Sequence, residues 1–462
     1  MAKRPNIILV MTDQQRWDTI AAYGWPGILT PNLDILCEQG TAFKNAYAQA
    51  TVGGPARNSV VCSRYVHSHG VERNESWIPY SLPNWIQTLR ASGYHTANIG
   101  KMHTAPLRLE CGFDHRVVVE NKNYEQGRMG PPDDYDLYLK KHGHFRPAQR
   151  YFETEENWYD NLGAALWPYD DDLYPDNYIG RHSCEYIETY DFDNPLFLWT
   201  GFAGPHDPYD VPSDTLERYA GVSLPGSVSA PNERDTKPPE HQAAMDRMDG
   251  RTGHAAIWRS RATEERIDRM RRHYCANVSL IDDWVGRIRG SLERAGQMEN
   301  TIMVFTSDHG DYLGDHNMVY KFWAHYDPIV KVPLIVCGAP VLPGRLRDDL
   351  VEAIDIGPTI LDLAKAPKLP GAQGLSLRPL LTNGKTNGRD AVFSEQGHRM
   401  MVRTDDLKMV YYAGKPYGEM YRMDQDPDEL INLYNSPDLM TSQTDLTTRL
   451  LDWQSDTRFR RD

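Results

Sequence analysis

The most constraining feature of this chain is a set of short apolar runs that pass directly into polar residues able to do chemistry. NIILVMTDQQ (6–15) ends in Asp13 and Gln14, and HTANIGKMH (95–103) ends in Lys101 and His103. PLFLWTGFAGPHDP (195–208) delivers His206, and TIMVFTSDHGD (301–311) delivers Asp308 and His309. VPLIVCGAP (332–340) is a fifth run of this type. Runs of this length, rich in Ile, Val and Phe, read as strands buried on both faces. Between them lie helical patterns such as LPNWIQTLRASG. The longest is EERIDRMRRHYCANVSLIDDWVGRIRGSLERAG, apolar at Ile267, Met270, Tyr274, Val278, Ile281, Val285 and Ile288 and stopped at Gly296. Strand alternating with helix predicts an α/β fold: a large, mostly parallel sheet sandwiched by helices. Ligands of such sheets bind beyond the carboxyl ends of the strands, so four strands ending in polar groups point to one shared site.

The tail reads differently. Residues 401–423 alternate and carry Gly/Pro turn chemistry, which predicts an antiparallel hairpin or meander, and SQTDLTTRLLDWQSD predicts a final helix. After the Pro/Gly-rich KAPKLPGAQG, a small C-terminal subdomain is expected over 370–462, with the catalytic domain over 1–369. Two stretches, 120–190 and 210–260, are rich in Tyr, Trp, Asp and Pro without clear period; lids and homo-oligomer contacts are both open readings.

At 462 residues the chain exceeds what one simple core supports. A net charge of −14 argues against a nucleic-acid partner and leaves any anion site to local basic groups. The six cysteines include no C-x-x-C pair, which excludes a zinc framework or disulfide scaffold. Basic residues precede the apolar start, but Ile7–Met11 is too short for a signal sequence. No stretch approaches the ~20 apolar residues of a membrane span. A cytoplasmic location is the default expectation.

Read together, TDQQ, GGPAR, GKMH, GPHDP, TSDHGDYLGDH and MVYK resemble the sulfatases of the alkaline phosphatase superfamily. The resemblance covers almost the whole chain, and DPDELINLY is similar to a closing segment of that family. TPNLDILCEQGTAFKNAYAQATVGGPAR looks especially like the related phosphonate monoester hydrolases. The family signature is C/S-x-P-x-R, whose first residue is converted to formylglycine. Here that place is held by Gly53, followed by Gly54, Pro55, Ala56 and Arg57. The leading reading is a formylglycine written as its parent glycine; an engineered knockout, a natural pseudoenzyme and a true tight-turn glycine are the rivals. Formation of the aldehyde implies a maturation enzyme as partner.

Further roles follow from the same resemblance. Asp13, Gln14, Asp308 and His309 fall at ligand positions for a divalent metal, calcium by family likeness. Gln14 replaces a second Asp and His309 often replaces an Asn; both changes lower negative charge, and imidazole is softer than calcium prefers, so manganese is the alternative. Arg57, one helical turn beyond position 53, would neutralise charge there, and a helix beginning near Pro55 would aim its N–H groups at an anion. Lys101, His103, His206 and Lys321 would clamp a tetrahedral anion, with His206 and Lys321 serving the leaving oxygen and His103 taking a proton. Asn74 is a candidate substrate contact. The implied reaction is hydrolysis of a small sulfate ester by hydrated formylglycine. Lys101 and His103 stand where phosphonate hydrolases usually have Tyr and Thr, which ranks sulfate above phosphonate or phosphodiester. A phosphatase or phosphomutase would need Ser or Thr at position 53.

Overall fold

A computed structural model describes residues 4–74, 76–79, 81–122, 132–147, 161–248, 262–321, 323–385 and 389–458. The apolar runs become strands β1 (Asn6–Asp13), β3 (His95–Gly100), β6 (Leu196–Pro205), β8 (Thr301–Ser307) and β9 (Lys331–Cys337). They join β2 (Gly40–Tyr47), β4 (His115–Val118) and β10 (Arg345–Glu352) in an eight-stranded sheet of order β10-β2-β9-β8-β1-β6-β3-β4. Strand β9 runs against both its neighbours, and the other seven share one direction. The sheet is therefore mostly parallel, as the sequence pattern predicts. Two short strands, β5 (Ala164–Leu166) and β7 (Tyr209–Val211), pair separately.

Period-two alternation along β1 separates two cores. Ile7, Leu9 and Met11 face a cluster with Trp85, Ile86, Leu89 and Ile360. Ile8 and Val10 face the opposite cluster with Ile179, Ile281, Val285 and Ile288. Because both faces are covered, β1, β6, β8 and β9 are buried along their whole length, which is why their sequences are apolar without interruption. Edge strand β10 instead begins with exposed or half-exposed Arg345–Asp349, the charged composition that discourages edge-to-edge pairing.

The long helix forms over Glu264–Arg294, its first turn capped by the Thr263 hydroxyl, which accepts the Arg266 N–H. A fifteen-residue helix, Pro175–Thr189, lies inside a stretch whose sequence shows no clear period. Its buried face is built from Tyr178, Ile179, Ser183 and Ile187, so small and polar residues hide the helical spacing.

The tail forms a four-stranded antiparallel sheet, β11 (Val392–Gln396), β12 (Arg399–Arg403), β13 (Leu407–Tyr412) and β14 (Gly418–Arg422). Helix Met440–Thr457 covers it through Leu446, Leu450 and Trp453. Leu377, Leu380 and Leu381, just past the Pro/Gly-rich stretch, pack into the core of the large sheet. Among the described residues, no helix is long and apolar enough to cross a membrane.

Candidate active site at the carboxyl edge of the sheet

Parallel strands β1, β3, β6 and β8 bring their following residues to one rim, and the predicted residues meet there. Asp13 ends β1 and Asp308 follows β8, with β1 and β8 paired in register up to Thr12 and Ser307. Helix Gly53–Cys62, buried at every position, points its first turn at the pair. From its second turn, Arg57 donates through Nε to Asp308 Oδ2 at 2.9 Å and through Nη2 to Asp13 Oδ2 at 3.2 Å. Lys101 Nζ lies 2.6 Å from Asp13 Oδ2 and donates to Asn121 Oδ1 at 2.7 Å.

Burial favours the neutral form of both carboxyls, but neighbouring cations overcome it. Against its burial, Lys101, Arg57 and Lys321 hold the Asp13 carboxyl well below the usual carboxylate range. Asp308, also opposed by burial, is lowered mainly by Arg57. His309 is neutral, because burial pulls its imidazole down to about 4. Its Nδ1 lies 2.9 Å from the Gly310 carbonyl, an acceptor only; Nδ1 therefore carries the proton and Nε2 offers a lone pair.

The atoms left over define the next feature. Asp13 Oδ1, Gln14 Oε1 and His309 Nε2 are buried without a hydrogen-bond partner. One ligand atom each from Asp13, Asp308 and His309 lies within 4.8 Å of the others. Buried lone pairs without a partner are costly, and a carboxylate oxygen, an amide oxygen and an imidazole nitrogen left so beside the Asp308 carboxylate suit a divalent cation. The residues present fit such a group.

Gln14 is shaped for this task. It is a non-glycine residue at φ 65°, a sparsely populated conformation that costs of order 1 kcal/mol. Surrounding groups fix it: its N–H donates to Asp308 Oδ1 at 2.9 Å, and its carbonyl accepts the Tyr274 hydroxyl at 2.6 Å. Its side-chain nitrogen donates to Asp311 Oδ2 at 2.5 Å, while Oε1 stays buried without a partner. Tyr209 donates to the same Asp311 oxygen at 2.8 Å.

Gly53 opens the helix outside the left-handed region, so the backbone does not demand glycine there. A Cβ at this position would lie 2.8 Å from Asp308 Oδ2 and 3.8 Å from His309 Nε2. Any side chain at 53 thus points at the donor cluster, with the carboxylate giving way by a few tenths of an ångström. Gly54 is different: its Cβ would lie 2.7 Å from the Asn74 Cα, a backbone collision. Asn74 holds this first turn by accepting the Gly54 N–H on Oδ1 at 2.8 Å.

On the opposite flank, Lys321 Nζ lies 2.8 Å from His206 Nε2. His206 Nδ1 lies 2.7 Å from the Asp207 carbonyl and 3.0 Å from Asp207 Oδ1. The imidazole therefore carries its proton on Nδ1 and accepts from the ammonium on Nε2. Burial lowers Lys321 despite the nearby Asp13 and Asp207. His103 Nδ1 pairs with Glu120 Oε1 at 2.6 Å.

Asn121, Asp207, Tyr209, Tyr274 and Asp311 are supporting residues to which the sequence reading gives no role, although Asp207 and Asp311 lie within GPHDP and TSDHGDYLGDH. Asp311 has a visible signal, since it lies three residues beyond Asp308 in SDHGD. Tyr209 and Tyr274 have none, because their roles exist only through tertiary contact.

The fold and this buried cluster define a candidate metal site at the edge of an α/β sheet. The family described as Sulfatase matches residues 5–366, and that described as N-sulphoglucosamine sulphohydrolase, C-terminal, matches residues 314–456. The chain belongs to the sulfatase family of enzymes. It is 29% identical to an arylsulfatase of Clostridium perfringens, covering 94% of this chain and 91% of the relative. It is 27% identical to the multifunctional alkaline phosphatase superfamily protein PehA of Trinickia caryophylli, covering 98% and 95%. Its fold matches the crystal structure of the phosphonate monoester hydrolase of Agrobacterium radiobacter with a TM-score of 0.82 at 24% identity, covering 98% and 96%.

Proposed function

We propose that this chain hydrolyses a small sulfate ester, using position 53 as formylglycine and a divalent cation held by Asp13, Gln14, Asp308 and His309. Calcium is the leading ion and manganese the alternative. The observation that carries the reading is the direction of the Gly53 Cβ, which aims a side chain at the Asp308 carboxylate and the unpartnered His309 Nε2. A pseudoenzyme with a genuine glycine has no use for that aim.

When present, the formylglycine supplies an attacking hydroxyl and a second hydroxyl whose deprotonation expels sulfate, while the cation supplies Lewis acidity. Arg57, fixed between the two carboxylates, compensates their charge and keeps both ionised beside an anionic substrate. Lys101 and the positive dipole end of helix Gly53–Cys62 stabilise the oxygens on sulfur as charge develops. His206 and Lys321 share a proton across 2.8 Å and are placed to deliver it to the leaving oxygen. His103 takes the proton that releases sulfate. Asn74 holds the first helical turn, and its amide nitrogen is the group offered to a substrate oxygen.

The supporting relatives include an arylsulfatase and a choline-sulfatase, the latter of Rhizobium meliloti. The test has two arms. Peptide mass across residue 53 should exceed that of glycine by the aldehyde carbonyl, formed by a maturation enzyme. Turnover of an aryl sulfate should exceed that of an aryl phosphonate monoester on the same preparation. A glycine mass in the natural protein overturns the catalytic reading, and a strong phosphonate preference overturns the substrate.

A further inference from the structure

We propose that Glu120 is a positioning residue for the reaction: its carboxylate fixes His103 as the Nδ1–H tautomer, leaving Nε2 as the basic nitrogen. The inference rests on the proton-accepting role given to His103 above.

The placement follows from the sheet. Strands β3 and β4 are parallel neighbours, in register from Ala97 opposite His115 to Gly100 opposite Val118. The residues that follow therefore leave the rim side by side, Lys101 and His103 from one strand and Glu120 and Asn121 from the other. Each basic group receives one acceptor. Asn121 Oδ1 takes the Lys101 ammonium at 2.7 Å, and Glu120 Oε1 lies 2.6 Å from His103 Nδ1.

This pair is built rather than incidental. His103 is 4% exposed and sits at φ 62°, a conformation a non-glycine residue keeps only when its surroundings impose it. Glu120 is anchored independently, its N–H donating to Asp133 Oδ2 at 2.9 Å. Asp133 is in turn gripped by Arg146 Nη2 at 2.7 and 2.8 Å. The contact lies off the ideal hydrogen-bond line, yet at 2.6 Å two facing lone pairs would repel, and an ionised carboxylate only accepts, so the facing ring nitrogen must carry the proton. A histidine without such a partner divides between two tautomers, and only one presents a given nitrogen as base.

The exchange Glu120→Gln keeps size while allowing its amide to donate to Nδ1 as readily as to accept from it. In mature protein labelled with 15N-histidine, with His103→Asn for assignment, the neutral His103 ring should show a protonated Nδ1 and a bare Nε2. In Glu120→Gln that preference should be lost, and kcat for an aryl sulfate should fall at least about 100-fold with KM nearly unchanged. Glu120→Asp, whose carboxylate still accepts, should recover a measurable part of the loss. A wild-type ring protonated on Nε2, or a Glu120→Gln kcat within twofold of wild type, overturns the proposal. If the protein turns over neither ester, the proposed function fails, and the nitrogen spectra alone still decide the assignment of Glu120.

Discussion

Two regions bury carboxylates and treat them in opposite ways. At the rim, Asp13 and Asp308 are pressed by burial toward the neutral form, yet Lys101, Arg57 and Lys321 keep Asp13 ionised and Arg57 chiefly keeps Asp308 so. On the long helix, Asp282 caps helix Pro31–Gln39 by accepting the Leu33 N–H at 2.7 Å and the Asn32 N–H at 3.1 Å. Only neutral donors meet it, and burial pushes it up to about 6. The lesson is that hydrogen bonds suffice to place a carboxylate, whereas keeping one charged in a dry interior takes cations. The pair at the rim has that expense; Asp282 avoids it.

The largest test of this contrast is Asp308→Asn, which removes a ligand and one of the two carboxylates that pair with the Arg57 guanidinium. Turnover should fall by at least about 1,000-fold, and loss of a buried partner should cost about 3–5 kcal/mol in denaturant unfolding. Unfolding at wild-type stability would show that the cations do not depend on their carboxylates. Next comes removal of the cation. Chelation should abolish most activity and lower the melting temperature, with both recovered on adding calcium or manganese. If calcium and manganese both fail, the donor set has been misread.

A purely steric effect ranks third. Gly54→Ala forces a methyl against the Asn74 backbone and should destabilise by about 1–3 kcal/mol, with a smaller fall in turnover than Asp308→Asn. The mildest test belongs to the scaffold. A folded-state value near 6 against about 3.9 in the unfolded chain means the native state holds its proton longer, so stability falls as pH rises from about 4 to 6. Asp282 contributes about 3 kcal/mol to that decline at most. Asp282→Asn should flatten it, as read by melting temperatures across that range. An unchanged slope would erase the contrast with the rim.

Much of the rim is legible in the sequence because a strand buried on both faces must be apolar, and the first polar residue after it falls at the carboxyl edge. Asp13, Lys101, His103, His206, Asp308 and His309 are found this way. The same rule reaches Glu120 and Asn121, which follow the apolar Val117, Val118 and Val119, but the run is short and its residues are passed over. Helix Pro175–Thr189 escapes because glycine, serine and tyrosine share its buried face with only two isoleucines. The direction of β9 is equally hidden, since an apolar run reads the same in either orientation. What position 53 carries is beyond the one-letter code, although the geometry around it is not.

That reversed strand has a consequence for how such a protein can diversify. The segment between β8 and β9 leaves the sheet and returns to it on the same side, carrying Asp308, His309, Asp311 and Lys321 without a crossover to the far side. Tyr312, Leu313, Val319 and Tyr326 are buried and fix most of it, but insertion at the exposed Asn317 would cost little more than closure entropy, about 0.6 kcal/mol per doubling of length. New recognition surfaces can therefore be tried beside the reactive groups while every strand keeps its partner.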